Sequence, residues 1–140
     1  MRFVAYLSFD GKCREAFEFY AGVLDGEIKA MISNGETPMA EHFSPESQDK
    51  IMNAYLVADG AELMGADTPD SMPYTPPEGF TLSIQLDDDA RAERIFATLA
   101  EDGDVRMPME ATFWARKFGM LVDKYGIPWM VNSGMIEQSA

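Results

Sequence analysis

Residues 110–132 read EATFWARKFGMLVDKYGIPWMVN, a stretch holding Thr112-Phe113-Trp114-Ala115, Phe118-Gly119, Asp123-Lys124-Tyr125-Gly126 and Pro128-Trp129-Met130-Val131-Asn132. It predicts a loop, a short strand, a tight turn and a second short strand. Gly126 supplies the positive φ such a turn asks for. Alternation along the last strand puts Trp129 and Met130 on opposite faces, so Trp129 is expected in the core under a helix while Met130 faces the other way.

Working upstream, Phe80 to Leu86 alternates as a strand, and Asp87-Asp88-Asp89 opens a helix carrying Ala92, Ile95, Phe96 and Leu99 on one face. Carboxylates suit that end of the helix macrodipole. Asp102-Gly103 stops the helix, and three strands are expected near Asp104 to Met109, Gly119 to Asp123 and Ile127 to Asn132. The first half reads the same way. A strand from Arg2 to Phe9 ends at Asp10-Gly11, and a helix from Lys12 to Leu24 is closed by Asp25-Gly26. A strand from Glu27 to Ser33 runs into Asn34-Gly35, and two more, Ile51 to Ala58 and Ala61 to Ala66, form a hairpin at Asp59-Gly60. Glu36 to Lys50 is polar, holds Pro38, Pro45 and His42, and is expected as a loop over or beside a pocket. Asp67 to Gly79 contains Pro69, Pro73, Pro76 and Pro77 and reads as a joint.

The order is strand, helix and three strands, twice. Together with the opening Tyr6-Leu7-Ser8-Phe9-Asp10-Gly11, the Ala16 and Phe19-Tyr20 positions, Asn53-Ala54-Tyr55-Leu56, Leu63-Met64-Gly65-Ala66-Asp67 and Gly79-Phe80-Thr81-Leu82, the 110–132 stretch resembles the PhnB-like (YjdN-like) branch of the glyoxalase, bleomycin-resistance and extradiol-dioxygenase superfamily, the vicinal oxygen chelate proteins. The resemblance spans essentially the whole chain. It implies an α+β fold of two βαβββ modules whose strands curl into a cup with helices outside, and a homodimer. The expected organisation is a single glyoxalase-like domain over 1–140, with modules at 1–66 and 80–133, a Pro-rich linker at 67–79 and a C-terminal tail at 134–140.

Composition narrows the function. The formal charge of −13 opposes a phosphate backbone and an anionic membrane surface, so neither nucleic acid nor membrane is an expected partner. No apolar run approaches the roughly 18 residues of a membrane span, and no signal peptide is legible, so a cytoplasmic location is expected. The single cysteine, Cys13, excludes an intramolecular disulfide and a multi-cysteine zinc site, and is expected to pack at a helix start.

Relatives in the superfamily hold a divalent ion with inward His, Glu or Gln side chains. The corresponding strands here offer Tyr6 or Ser8, Glu62 or Met64, Thr81 or Ser83, and Met130, with Asn53 where many relatives of the branch carry histidine. No metal and no other cofactor is expected on that set; a carboxylate-only site from Glu62, Asp67 and Glu110 is the alternative. His42 is expected to be a solvated loop residue. The ligand-binding candidates are Tyr6, Ser8, Asn53, Tyr55, Thr81, Ser83, Phe113, Trp114, Met130 and Asn132, with Gln85 beside them. They are groups that orient a ligand by hydrogen bonds or stacking and supply no activated nucleophile. Glu110 is the acid/base candidate, because aromatic neighbours at Phe113 and Trp114 would raise its pKa.

The name often given to this branch, 3-demethylubiquinone-9 3-methyltransferase, finds no support in a chain without a G-x-G-x-x-G-like run. A phosphonate role lacks an Arg or Lys cradle. The expected function is binding of a small, aromatic or cationic molecule in a strand-lined cup, with proton transfer of the isomerase or lyase type if a reaction occurs. The alternatives are sequestration of the bleomycin-resistance type and a metal-dependent lyase or dioxygenase.

Overall fold

A computed structural model describes residues 1–136; of the tail expected over 134–140, residues 137–140 lie outside the described residues. The chain divides into two compact units, Met1–Thr75 and Pro76–Ala140. Each is a βαβββ module with an open, mixed four-stranded sheet, so the α+β class and the repeated element order are those expected.

The first module comprises β1 (Ala5–Phe9), α1 (Cys13–Leu24), β2 (Glu27–Ser33), β3 (Ile51–Ala58) and β4 (Ala61–Asp67), with strand order β1-β4-β3-β2. β1 runs parallel to β4, and the other pairs are antiparallel. Alternation divides the residues of the sheet. Leu7, Phe9, Ala54, Leu56 and Leu63 are buried with Cys13, Ala16, Phe17 and Tyr20 of α1, each large side chain worth about 1.5–3 kcal/mol on leaving water. Gly65 lies under the Phe17 ring; a Cβ there would meet Phe17 Cε1 at 2.8 Å and the Leu7 carbonyl at 2.9 Å. Asp25 adopts the left-handed conformation at the end of α1, and the β3–β4 turn places Asp59 at φ 50° and Gly60 at φ 79°, the two positive values of a type I′ hairpin.

The first strand is shorter than its sequence suggests. β1 begins at Ala5, and Phe3 is 95% exposed, because pairing with β4 starts at Ala5 opposite Leu63. Residues 34–50, expected from Glu36 onward as a loop over or beside a pocket, carry three short 3₁₀ turns, Asn34–Glu36, Ala40–His42 and Pro45–Ser47. A capping box between Ser33 and Glu36 starts the first, and the Gln48 amide donates to the carbonyls of Ala40 and Phe43, each at 2.9 Å.

The second module comprises β5 (Leu82–Leu86), α2 (Asp89–Leu99), β6 (Asp104–Glu110), β7 (Ala115–Val122) and β8 (Pro128–Met135), with order β5-β8-β7-β6. Asp88 caps α2 by accepting from the Arg91 amide at 3.0 Å, as the acidic triplet predicts. Ala92, Ile95, Phe96 and Leu99 are buried with Ala115, Leu121, Trp129 and Val131. β5 starts at Leu82 opposite Trp129, two residues later than expected; one step earlier lies Pro128, which has no N–H to give a ladder. β7 starts at Ala115, four residues before the expected Gly119, and β8 runs on past Asn132 to Met135. The extension passes through Gly134 at φ 64°, where a Cβ would collide with the Arg116 guanidinium.

Candidate functional site

Each module has a sheet face turned away from its helix, and the candidate residues fall into two groups accordingly. On the first sheet the register sets Tyr6, Met64 and Tyr55 side by side on β1, β4 and β3, with Ser8 and Ala66 in the next row. A cleft of about 720 Å³ opens beside this face, within the first module. Tyr6, Ser8, Met52 and Ala66 form its strand wall. Segments 42–51 and 67–72, with Asn34, supply the rest, chiefly His42, Phe43, Lys50, Asp70 and Met72.

Two carboxylates build the walls of this cleft. Asp67 is 7% exposed and uses both oxygens: Oδ1 accepts from the Cys13 amide at 2.9 Å and Oδ2 from the Ile51 amide at 2.8 Å. It thereby caps α1 and fixes the start of β3. Asp70 accepts from the Ser47 hydroxyl and from Lys50 Nζ at 2.7 Å, which holds the last 3₁₀ turn against the 67–72 segment. Those bonds, Lys50 first and Ser47 second, keep the Asp70 carboxyl below its ordinary value; the same partner raises Lys50. Burial, followed by the charge of Asp67, pushes the Cys13 thiol up to about 12, so the buried cysteine is a packing group, as expected.

Tyr55 donates to Glu62, and Arg2 Nε reaches the other carboxylate oxygen at 3.0 Å. The hydrogen bond to Glu62, then burial, raises the Tyr55 phenol. Asn53 is half-buried on β3 and lies outside the cleft lining. His42, expected as a solvated loop residue, is exposed and also lines the cleft. Phe43 and Lys50 belong to the segment expected over or beside a pocket, without having been singled out within it, whereas Asp70 and Met72 were not expected there. The one legible signal for the last two is proximity in sequence to the Pro69-Asp70 break.

On the second sheet, Ser83, Met130 and Met120 share one row, and Gln85, Asn132, Phe118 and Glu110 the next. Asn132 Nδ2 donates to Ser83 Oγ at 3.2 Å. Trp114 packs edge-on against Phe118 at 5.2 Å and against Phe113 at 4.9 Å; Phe113 is 76% exposed. Glu110 is exposed at the end of β6, and Thr81 is half-buried just before β5. Trp129 is 2% exposed and donates to Asp123, so its core placement holds.

The residues at the usual metal positions do not fit a divalent ion. Apart from Glu62, which is bonded to Tyr55 and Arg2, they offer hydroxyl, phenol and thioether groups in place of the imidazole and carboxylate donors such an ion takes. Among the described residues no group of three or more His, Cys, Asp or Glu is placed to hold one. Within the carboxylate-only alternative, Glu62 and Asp67 lie on opposite faces of β4 and, five residues apart, about 16 Å from each other. No helix among the described residues is long and apolar enough to cross a membrane.

The chain matches the family model described as 3-demethylubiquinone-9 3-methyltransferase over residues 1–132. It is 34% identical over 137 residues to protein YjdN of Escherichia coli K12, with 91% of each chain covered. Protein PA1353 from Pseudomonas aeruginosa superposes with a TM-score of 0.89 at 42% identity, covering 96% of this chain and 98% of that one. A putative 3-demethylubiquinone-9 3-methyltransferase, PhnB protein, from Bacillus cereus gives 0.77 at 27% identity, covering 96% and 100%. The fosfomycin resistance protein FosX from Mesorhizobium loti shares the fold, with a TM-score of 0.59 at 12% identity over 97% of this chain and 93% of that one. Whole-length sequence matches thus carry one conclusion: the chain belongs to the 3-demethylubiquinone-9 3-methyltransferase family, with PhnB-like relatives and the doubled βαβββ fold that it shares with FosX.

Proposed function

We propose that this protein binds a small, partly apolar organic molecule in the cleft of its first module, as a homodimer and without the usual superfamily metal. The observation that carries this reading is the cleft itself. Its volume of about 720 Å³ lies within the roughly 300–1,000 Å³ of small-molecule sites. Phe43, Met52 and Met72 offer adaptable apolar contact, while Tyr6, Ser8, His42 and Lys50 offer hydrogen bonds at its margins. Ser83, Met130 and Asn132, with Phe113 and Trp114, present a second polar and aromatic face on the other module, and Thr81, Asn53 and Tyr55 are assigned the same orienting role.

Binding is favoured over catalysis because the cleft supplies positioning groups and no activated nucleophile: Ser47 Oγ is committed to Asp70, and Cys13 is buried. Glu110 is the proposed proton carrier of any isomerase or lyase chemistry, and the absence of a Rossmann-type glycine turn argues against methyl transfer.

The test is a ligand screen by methionine-methyl NMR, starting with aromatic compounds. A ligand of the cleft shifts the Met52 and Met72 methyls, and Tyr6→Ala weakens it about tenfold or more. Saturable ligands that leave both methyls unmoved would overturn the assignment. Elemental mass spectrometry after dialysis against Mn, Fe, Ni and Zn tests the metal-free reading, which stoichiometric metal would refute. Sedimentation equilibrium tests the dimer.

A further inference from the structure

Outside the cleft, the open face of the first sheet carries a second constellation. Glu62 sits two residues from Met64 on β4, so both point the same way, and the register puts Tyr55 and Tyr6 on either side of Met64. Tyr55 is a diagonal neighbour of Glu62 and reaches it with its hydroxyl. One carboxylate, two phenol rings and a thioether is the chemistry that recognises an organic cation. The carboxylate supplies the charge, and the ring faces supply cation–π attraction without the hydration that an acidic surface alone would leave in place.

The place is already taken by a cation, and that cation belongs to the chain. Arg2 comes from residues 1–4, which precede β1 and form no strand, and its guanidinium meets the Glu62 oxygen that Tyr55 leaves open. The Arg2 side chain is 69% exposed, whereas Glu62 is 20% exposed. The carboxylate is thus built into the sheet, and its cationic partner is held on a short, solvated arm. With the Arg2 end of the pair in solvent, holding that long side chain in one geometry offsets much of the attraction. A ligand ammonium or guanidinium can therefore displace Arg2 without disturbing the sheet.

We infer that the Glu62, Tyr55, Met64 and Tyr6 face is a binding subsite for an aromatic or alkyl ammonium compound, with Arg2 as its intramolecular competitor. The formal charge of −13 adds long-range attraction for the same ligand class. The subsite is separate from the cleft, sharing only Tyr6 with its lining.

The competitor role has a sign that a merely structural ion pair does not. Benzyltrimethylammonium is titrated into the full chain at low salt, with methyl-labelled methionine as readout and benzyl alcohol as the neutral control. The Met64 methyl is expected to shift saturably with the ammonium and not with the alcohol. Arg2→Ala is expected to bind about two- to fivefold tighter, the weight of an exposed ion pair removed. Glu62→Gln is expected to bind at least about tenfold more weakly. Arg2 lies outside the strands, so its substitution leaves a folded protein to measure. Unchanged or weakened binding in Arg2→Ala, or wild-type affinity in Glu62→Gln, would overturn the inference. Benzyl alcohol moving Met72 while neither compound moves Met64 would also remove it, leaving the cleft assignment standing.

Discussion

The indole Nε1 of Trp129 donates to Oδ2 of Asp123 at 2.8 Å, from a ring that is 2% exposed to a carboxylate that is 3% exposed. The other oxygen of Asp123 accepts from the amides of Tyr125 and Ile127 at 2.8 and 3.0 Å. One side chain therefore shapes the β7–β8 turn and satisfies the buried indole. Asp123→Ala leaves three donors without that acceptor, two of them in buried surroundings, and is expected to cost about 3 kcal/mol. Urea unfolding followed by tryptophan fluorescence measures it; a loss under about 1 kcal/mol would show that the turn holds itself.

Close approach governs Gly65. A methyl group there would press on the Phe17 ring and on the Leu7 carbonyl, and the second of these cannot move without disturbing β1. Gly65→Ala is expected to destabilise by about 1–3 kcal/mol, the range for overpacking a filled core. Adding Phe17→Leu should restore part of the loss, because it clears the ring and not the carbonyl. A double-mutant cycle from denaturant midpoints gives the coupling; strict additivity would mean that the ring is not the obstacle.

These contacts separate what the sequence discloses from what it conceals. Asp25, Asp59-Gly60 and Asp102 were legible as breaks because their left-handed conformations are local properties of aspartate and glycine, and all adopt them. The start of β7 was not legible. Arg116 and Lys117 look like loop residues until their partners are known, and those partners, Asp89 and Glu93, lie 27 and 24 residues upstream on α2. The end of β8 was hidden similarly, since Ser133-Gly134 reads as a breaker although Ser133 pairs with Leu86 and Lys117. In the site, Tyr6 and Ser8 were readable from strand alternation. Lys50, Asp70 and Met72 were not, because a proline-rich stretch and a polar loop reveal no mutual packing from their composition.

Asp70 offers a local test of that packing. Its carboxylate ties Ser47 and Lys50 to the segment following β4, at an exposed position remote from the helix-packed core. Asp70→Asn keeps the shape and removes the charge. Amide exchange is expected to accelerate over residues 44–50, while the global unfolding free energy stays within about 0.5 kcal/mol of the parent. Uniform acceleration across β3 and β4 would instead make Asp70 part of the cooperative core.

Asp89 should be visible in the acid limb of the stability curve. Its carboxylate accepts from Arg116 Nε at 3.1 Å and from Ser133 Oγ at 2.5 Å, and Lys117 adds charge nearby. The Arg116 bonds first, and the Ser133 hydroxyl second, hold its pKa below the ordinary value. For a carboxyl whose folded pKa is depressed, the stabilisation is fully present above the unfolded value of about 3.9 and disappears as pH falls through the folded value. Asp89→Asn should therefore be less stable than the parent at pH 6, and the gap should narrow as pH falls below about 4. Asp70, also depressed, leaves the variant with an acid limb of its own, so the slope decreases without vanishing. Urea midpoints at pH 6, 4, 3 and 2.5 for parent and variant decide the matter. A gap that stays constant across the series would assign the effect of the substitution to lost packing and geometry, and would deny Asp89 its part in the pH dependence.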